Sequence, residues 1–242
     1  MTAAPLTRLG FVAPGKGWSS HYDEFLALMP SQIQAQIVGL DLGHTSWEQL
    51  AGRADLHVEK TAELAKERDW QAVAAFGAPM EAYNAGFADQ LRKRLTVPST
   101  TALQAGAAAV RALGARKALL LTPFDEGLKQ MIKENLESKG LEPILPVGAF
   151  ASIQDARQVT PDEVYEIARD RLRNAPGAEA IYFQGAVLNP LAVIELIEEN
   201  LGIPVVASNP AMLWHLTSMT GLRFSVLAMG RLLREWPHPV EA

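Results

Sequence analysis

Short apolar runs alternate with amphipathic stretches from one end of the chain to the other. Leu9-Gly10-Phe11-Val12-Ala13 predicts a buried strand, closed by the turn-forming Pro14-Gly15-Lys16-Gly17. Ile33–Leu40 is a second apolar stretch, and Trp47–Arg68 predicts a helix with its charges on one face. Ala72–Phe76 is continuous and apolar, as suits a central parallel strand covered on both faces. It stops at Gly77, and a helix follows from about Pro79 to Arg94; proline is tolerated in a first turn, where its missing N–H is not needed. An alanine-rich helix, Ala102–Leu113, ends at Gly114, which suits the left-handed position after a helix.

The alternation then restarts. Strands are predicted at Ala118–Thr122, Leu141–Val147, Ala180–Gln184 and Ile203–Ala207. Helices are predicted at Asp125–Lys139, at Pro161–Arg173 with Thr160 as N-cap, at Pro190–Asn200 and at Pro210–Thr220. The restart is an internal repeat. Gly77 matches Gly185, Pro98 matches Pro204 and Gly114 matches Gly221, at separations of 108, 106 and 107 positions. The expected fold is therefore α/β, with two pseudo-symmetric halves, parallel sheets and a ligand cleft between them. The expected boundaries are 1–115 and 116–242, with 210–242 able to pack back on the first half. Ligands of open parallel sheets bind beyond the carboxyl ends of the strands, where Gly77 and Gly185 both fall.

Composition narrows the chemistry. A net charge of −5, with 22 Lys+Arg against 27 Asp+Glu and no basic block, argues against nucleic acid or an anionic membrane as partner. No apolar run reaches the ~18 residues of a membrane span. Met1–Arg8 lacks a basic region followed by a long apolar stretch, so no signal peptide and a cytoplasmic location are expected. There are no cysteines, which excludes disulfides, cysteine–zinc sites and thiol catalysis. The five histidines show no zinc-ligand spacing, there is no Walker A motif and no Gly-x-Ser-x-Gly elbow, so no metal and no cofactor are expected.

Several stretches together resemble the aspartate/glutamate racemase superfamily, in the branch of maleate isomerases and arylmalonate decarboxylases. They are Leu9–Pro14, Ala112–Lys117 leading into Leu121-Thr122-Pro123-Phe124, Leu201–Val206 and Ser208–His215. The resemblance covers nearly the whole chain and implies the two-half fold, a small carboxylate-type ligand and a homo-oligomer. It also implies a cysteine on one or both symmetric loops, where this chain has Gly77 and Gly185. Carboxylate-binding Thr and Ser are replaced by Ala78 and Pro79, a Tyr by Phe124, and the second loop continues Ala186-Val187. The usual racemase, isomerase and cysteine-dependent decarboxylase mechanisms are thereby excluded.

The remaining candidates for proton transfer are His44, Lys16, His21 and Glu81. His44 follows the second strand, where relatives line their pocket, and an imidazole there can act as acid or base. Lys16 can bind a carboxylate as a point charge, and His21 shares its Gly-rich loop. Glu81 lies in a first helical turn, where an acid also simply complements the helix dipole. His215, on a late helix with apolar neighbours, reads as a packed structural histidine. Pro14, Gly15, Leu42, Thr45, Gly77, Ala78, Pro79, Phe124, Gln154, Gly185, Ala186 and Val187 are expected to line the ligand site, with Gln184 and Asn189 flanking the second loop. Two functions stay open: a cysteine-independent lyase or isomerase working through an enolate-like charge, or a binding or regulatory protein that kept only the pocket.

Overall fold

The computed structural model describes residues 6–17, 22–146 and 153–240. The first half runs β1 (Thr7–Ala13), α1 (Asp23–Leu26), β2 (Ile33–Gly39), a 3-10 turn (Trp47–Leu50), α2 (Ala54–Glu67), β3 (Ala72–Ala75), α3 (Ala78–Ala82), α4 (Phe87–Arg94), β4 (Ser99–Thr101) and α5 (Ala102–Ala112). The second runs β5 (Lys117–Leu121), α6 (Glu126–Ser138), β6 (Glu142–Ile144), α7 (Ile153–Gln158), α8 (Pro161–Arg173), β7 (Ala180–Phe183), α9 (Ile194–Leu201), β8 (Val205–Ala207), α10 (Ser208–Met219) and α11 (Gly230–Glu235). The strands form two four-stranded sheets, β2-β1-β3-β4 and β6-β5-β7-β8, in which every pairing is parallel. The two orders are the same. The duplication read from 72–114 and 180–221 thus extends to whole halves.

Alternation across the central strands explains why, past Thr7 and Arg8 of β1 and Lys117 of β5 at their starts, they carry no charged side chain. Leu9, Phe11, Ala72 and Ala74 from one sheet, and Ala118, Leu120, Ala180 and Tyr182 from the other, face one shared core. Their neighbours Val12, Val73 and Ala75, or Leu119, Leu121, Ile181 and Phe183, face an outer core private to each half. A strand buried on both faces has no solvent side on which to place polar groups. Helices α5 and α10 fill the shared core, packed on each other, with α5 also against β7 and α10 against β3. The alanines of α5 permit this. Gly106 is the tightest point, where a Cβ would fall 2.1 Å from the Tyr182 hydroxyl, which donates to the carbonyl of Ala102 at 3.1 Å.

Local signals fixed the helix ends better than the helix interiors. Thr160 caps α8 in a reciprocal box with Glu163, and Asp125 caps α6 by accepting from the Leu128 amide at 3.0 Å. Trp47–Arg68 is not one helix but the 3-10 turn and α2, separated at Gly52 (φ +72°). Pro79–Arg94 is likewise divided into α3 and α4 at Gly86, which is left-handed. Both breaks fall at a glycine in a conformation that other residues avoid. The second strand of the second half is short, Glu142–Ile144, and Val147 lies outside the described residues. No described helix is long and apolar enough to cross a membrane.

Candidate active site

Two sharp loops define the site. Residues Val12 and Ala75 pair across β1 and β3 as Leu121 and Phe183 pair across β5 and β7. Two residues beyond each pair stand Pro14 with Gly77, and Pro123 with Gly185. Gly77 has φ +92° and Gly185 φ +112°, both in the region that favours glycine. Each loop then turns immediately, Met80 donating to the Gly77 carbonyl and Leu188 to that of Gly185, both at 3.2 Å. Between them lies a cavity of about 290 Å³, at the low end of the ~300–1,000 Å³ usual for small-ligand pockets.

The wall is aromatic on two sides. The Tyr22 ring lies parallel to Phe76 (centroids 5.2 Å, 14°), and Phe76 is backed by Phe11 at 5.2 Å and Phe25 at 6.2 Å. Opposite, Trp47 meets Phe124 edge-on at 5.9 Å, and His44 sits 5.6 Å from Trp47. The polar groups of the wall are Lys16, His44, Tyr22, Arg157, Gln184, Ser208 and Asn209, and no Asp or Glu is among them. Gln184 is buried and accepts from the Thr122 hydroxyl at 3.4 Å through its carbonyl oxygen, which leaves its amide donors for the cavity. Among the described residues the backbone amides of Ala186 and Val187 donate to nothing in the protein.

Of the expected site residues, Pro14, Gly15, Lys16, His44, Gly77, Ala78, Pro79, Phe124, Gly185, Ala186 and Val187 all line this cavity. Partial burial and the Arg53 guanidinium hold the His44 imidazole below its ordinary value, partly opposed by Asp41; its buried Nδ1 has no hydrogen-bond partner. Leu42 does not reach the wall. Its side chain is buried with Leu40 and Leu50 in the outer core, and its carbonyl accepts from Arg53. Thr45 is exposed, its amide held at 2.8 Å by Gln49 in the first turn after the loop. Glu81 is also elsewhere. It is 4% exposed, paired with Lys139 at 2.8 Å and accepting from the Thr101 hydroxyl, so it ties α3 to α5 and to the other half rather than facing ligand. Asn189 accepts from the Leu191 amide at 3.2 Å, as a turn residue. His21 lies outside the described residues; Gln154 falls in the first turn of α7, with its side chain outside them.

Residues that sequence reasoning did not place in the site include Tyr22, Trp47, Phe76, Arg157, Ser208 and Asn209. Phe76 and Ser208 carried a signal, since the repeat aligns them with Gln184 and Ala102 at the same strand and helix ends. Arg157 had none, because it is delivered by α7, a helix where the first half has only the 3-10 turn Trp47–Leu50. Among the described residues no three His, Asp or Glu side chains converge as a metal site would require.

A parallel α/β protein of two equivalent halves, with an aromatic and cationic cavity at the facing strand ends, is the class defined here. The chain belongs to the arylmalonate decarboxylase family, whose profile matches residues 12–233. It is 28% identical over 147 residues to arylmalonate decarboxylase of Bordetella bronchiseptica, a match spanning 58% of this chain and 59% of that relative's length. The fold matches a crystal structure of arylmalonate decarboxylase (TM-score 0.78, 22% identity, covering 93% of this chain and 98% of the other). It also matches the maleate isomerase of Pseudomonas putida (0.78, 19%, 96% and 99%). A third match is the maleate cis-trans isomerase of Nocardia farcinica bearing a covalently bound succinylcysteine intermediate (0.74, 19%, 95% and 99%).

Proposed function

We propose that this protein is a thiol-free decarboxylase of a small dicarboxylate that carries a flat apolar substituent. The observation that carries the reading is the composition of the wall: two cations, Lys16 and Arg157, no carboxylate, and aromatic faces on either side. Such a wall favours an anion with an apolar body and repels nothing about it. Loss of carbon dioxide from a malonate-type substrate needs no nucleophile. The C–C bond to the departing carboxylate breaks, and the electron pair spreads over the remaining carboxylate as an enediolate. The free amides of Ala186 and Val187 and the Gln184 carboxamide are the donors placed to hold that charge, and preorganised donors are often the largest catalytic contribution.

Family membership and the decarboxylase and isomerase relatives support an enzyme of this class. Decarboxylation is favoured over isomerisation because loss of carbon dioxide needs no covalent intermediate, whereas the Nocardia isomerase carries one on a cysteine and this chain has none. The test is calorimetric binding of phenylmalonate against its diethyl ester, followed by carbon dioxide release. We expect the dianion to bind and turn over and the ester to do neither. Equal binding of the two overturns the anion reading. Tight binding of phenylmalonate without release supports a binding protein instead.

A further inference from the structure

Without a thiol, the enediolate must take its proton from another group on the wall. We propose that the Tyr22 phenol is that donor, with the Arg157 guanidinium holding the phenolate left behind. This rests on the decarboxylase reading above. The geometry behind it is specific to this chain. Tyr22 is fixed on a cavity wall by parallel stacking on Phe76, the residue directly before the Gly77 loop, and Phe76 is itself locked by Phe11 and Phe25. A ring held in this way is fixed in orientation, and a fixed donor is what protonating one face of a planar enediolate requires. Arg157 reaches the same cavity from α7 in the other half and acts electrostatically on Tyr22.

The step balances without an added reagent. The carboxylate leaves as carbon dioxide, the electron pair stays on the α-carbon and its remaining carboxylate, and the phenol O–H bond breaks as the new C–H bond forms. The phenolate then takes a proton from water, so each turnover consumes one proton. Burial pushes the phenol up to about 12 against the pull of Arg157, so it is protonated throughout the neutral range. A carbanion is a far stronger base than a phenolate, so the transfer runs downhill. Among the described residues, the other titratable groups on the wall are Lys16 and His44. Lys16 is exposed, and the imidazolium form of His44 becomes scarce at neutral pH because its pKa is held down.

The test uses 2-methyl-2-phenylmalonate, whose product is chiral, with the full chain and the Tyr22→Phe and His44→Ala variants. Tyr22→Phe keeps the ring and its stacking and removes only the hydroxyl. We expect wild type to form one enantiomer in excess. Tyr22→Phe should lose about 10²–10⁴-fold in kcat, the usual range for a general acid, with probe affinity unchanged within about twofold and a racemic product. Wild-type kcat should stay level from pH 6.5 to about 10, the ordinary phenol value, whereas an imidazolium donor makes it fall across that range. The profile needs no variant, so a fall across that range overturns the phenol in favour of an imidazolium even if Tyr22→Phe is unstable. An active wild type beside a Tyr22→Phe that keeps rate and handedness overturns the donor role while leaving the decarboxylase reading intact. A wild type that releases no carbon dioxide overturns the decarboxylase reading, and the donor role with it.

Discussion

The two loops that make the site are equivalent in topology but unequal in the space they allow. A Cβ built at Gly77 meets nothing nearer than Pro14 Cδ at 3.7 Å, which is ordinary contact. A Cβ built at Gly185 lies 2.9 Å from Pro123 Cδ and 3.2 Å from Cγ, too close for any side chain unless the proline moves. The second loop is therefore closed to a side chain by packing as well as by φ, the first by φ alone. The walls beside the loops differ in the same sense. The strand residue preceding the glycine is Phe76 in the first half and Gln184 in the second, and the helix that follows begins with Ala102 or with Ser208. One half has become the apolar wall, the other supplies most of the hydrogen-bonding groups. Duplication gives two identical frames; function here comes from making them unlike.

The largest effect expected from this comparison is at Gly185. Gly185→Ala carries positive-φ strain of roughly 1–3 kcal/mol and overpacking of roughly 1–3 kcal/mol against Pro123. Gly77→Ala carries only the first, roughly 1–3 kcal/mol. Urea unfolding of the two variants should rank them in that order. Equal losses would mean that Pro123 yields freely and that the loops are interchangeable.

The parts of this arrangement legible in the sequence are those fixed by residue type at one position. Gly77 and Gly185 are glycines because the chain turns through a conformation other residues avoid, and their spacing exposed the duplication. The continuous apolar strands announced parallel sheets covered on both faces. Glu81 was misplaced because a first-turn acid near a loop looks the same in sequence whether it faces ligand or, as here, Lys139 of the other half. Leu42 and Thr45 were misplaced because position beside His44 says nothing about which way each residue turns. Tyr22, Trp47 and Arg157 arrive at the N-cap of a short helix, on a 3-10 turn and on α7, which is a helix where the first half has only that turn. These segments are too short and too divergent for periodicity or the repeat to bring them to the cavity.

Next in size are effects on the packing around the site. Glu81→Gln leaves Lys139, with a side chain only 18% exposed, without its partner charge. Breaking a buried pair on one side costs roughly 3–5 kcal/mol, and the partial exposure of Lys139 places this variant at the lower end. Glu81→Gln with Lys139→Met should recover much of the loss in thermal unfolding. If the double variant is no better than the single one, the pair does not join the halves energetically.

Each half also holds one histidine in the neutral form, His57 buried and His215 half-buried. His57, with Thr61 at 3.2 Å from Nδ1, and His215, with Thr100 at 2.8 Å from Nδ1, are both held down to about 4 by burial, His215 also by the charge of Arg111. Their folded values lie below the unfolded value of about 6.5, so between the two the unfolded chain binds more protons and stability falls as pH falls. The loss is absent above about pH 6.5 and complete below about 4, on the order of 3 kcal/mol for His57. Unfolding free energies measured across that window should show the slope, and His57→Leu should remove the first half's share while leaving that of His215. An unchanged slope in His57→Leu would place the acid sensitivity elsewhere.

The smallest effect expected is at the two cations, one from each half. Lys16 and Arg157 are both exposed, so each acts on a bound anion through solvent rather than through a dry contact. Exposed charge pairs are worth roughly 0.2–1 kcal/mol, which is about a 1.4-fold to fivefold change in Kd for phenylmalonate on substitution by alanine. The screening length is about 10 Å at 0.1 M salt and about 3 Å at 1 M, so high salt should erase most of the difference between each variant and wild type. The two alanine variants need not be equal. Arg157 is the cation that acts on Tyr22, so Arg157→Ala should lower kcat as well as affinity, whereas Lys16→Ala should change affinity alone. If Lys16→Ala lowers kcat and Arg157→Ala does not, the division between the halves runs opposite to the one drawn here, and the charge that matters to the reacting carbon comes from the first loop.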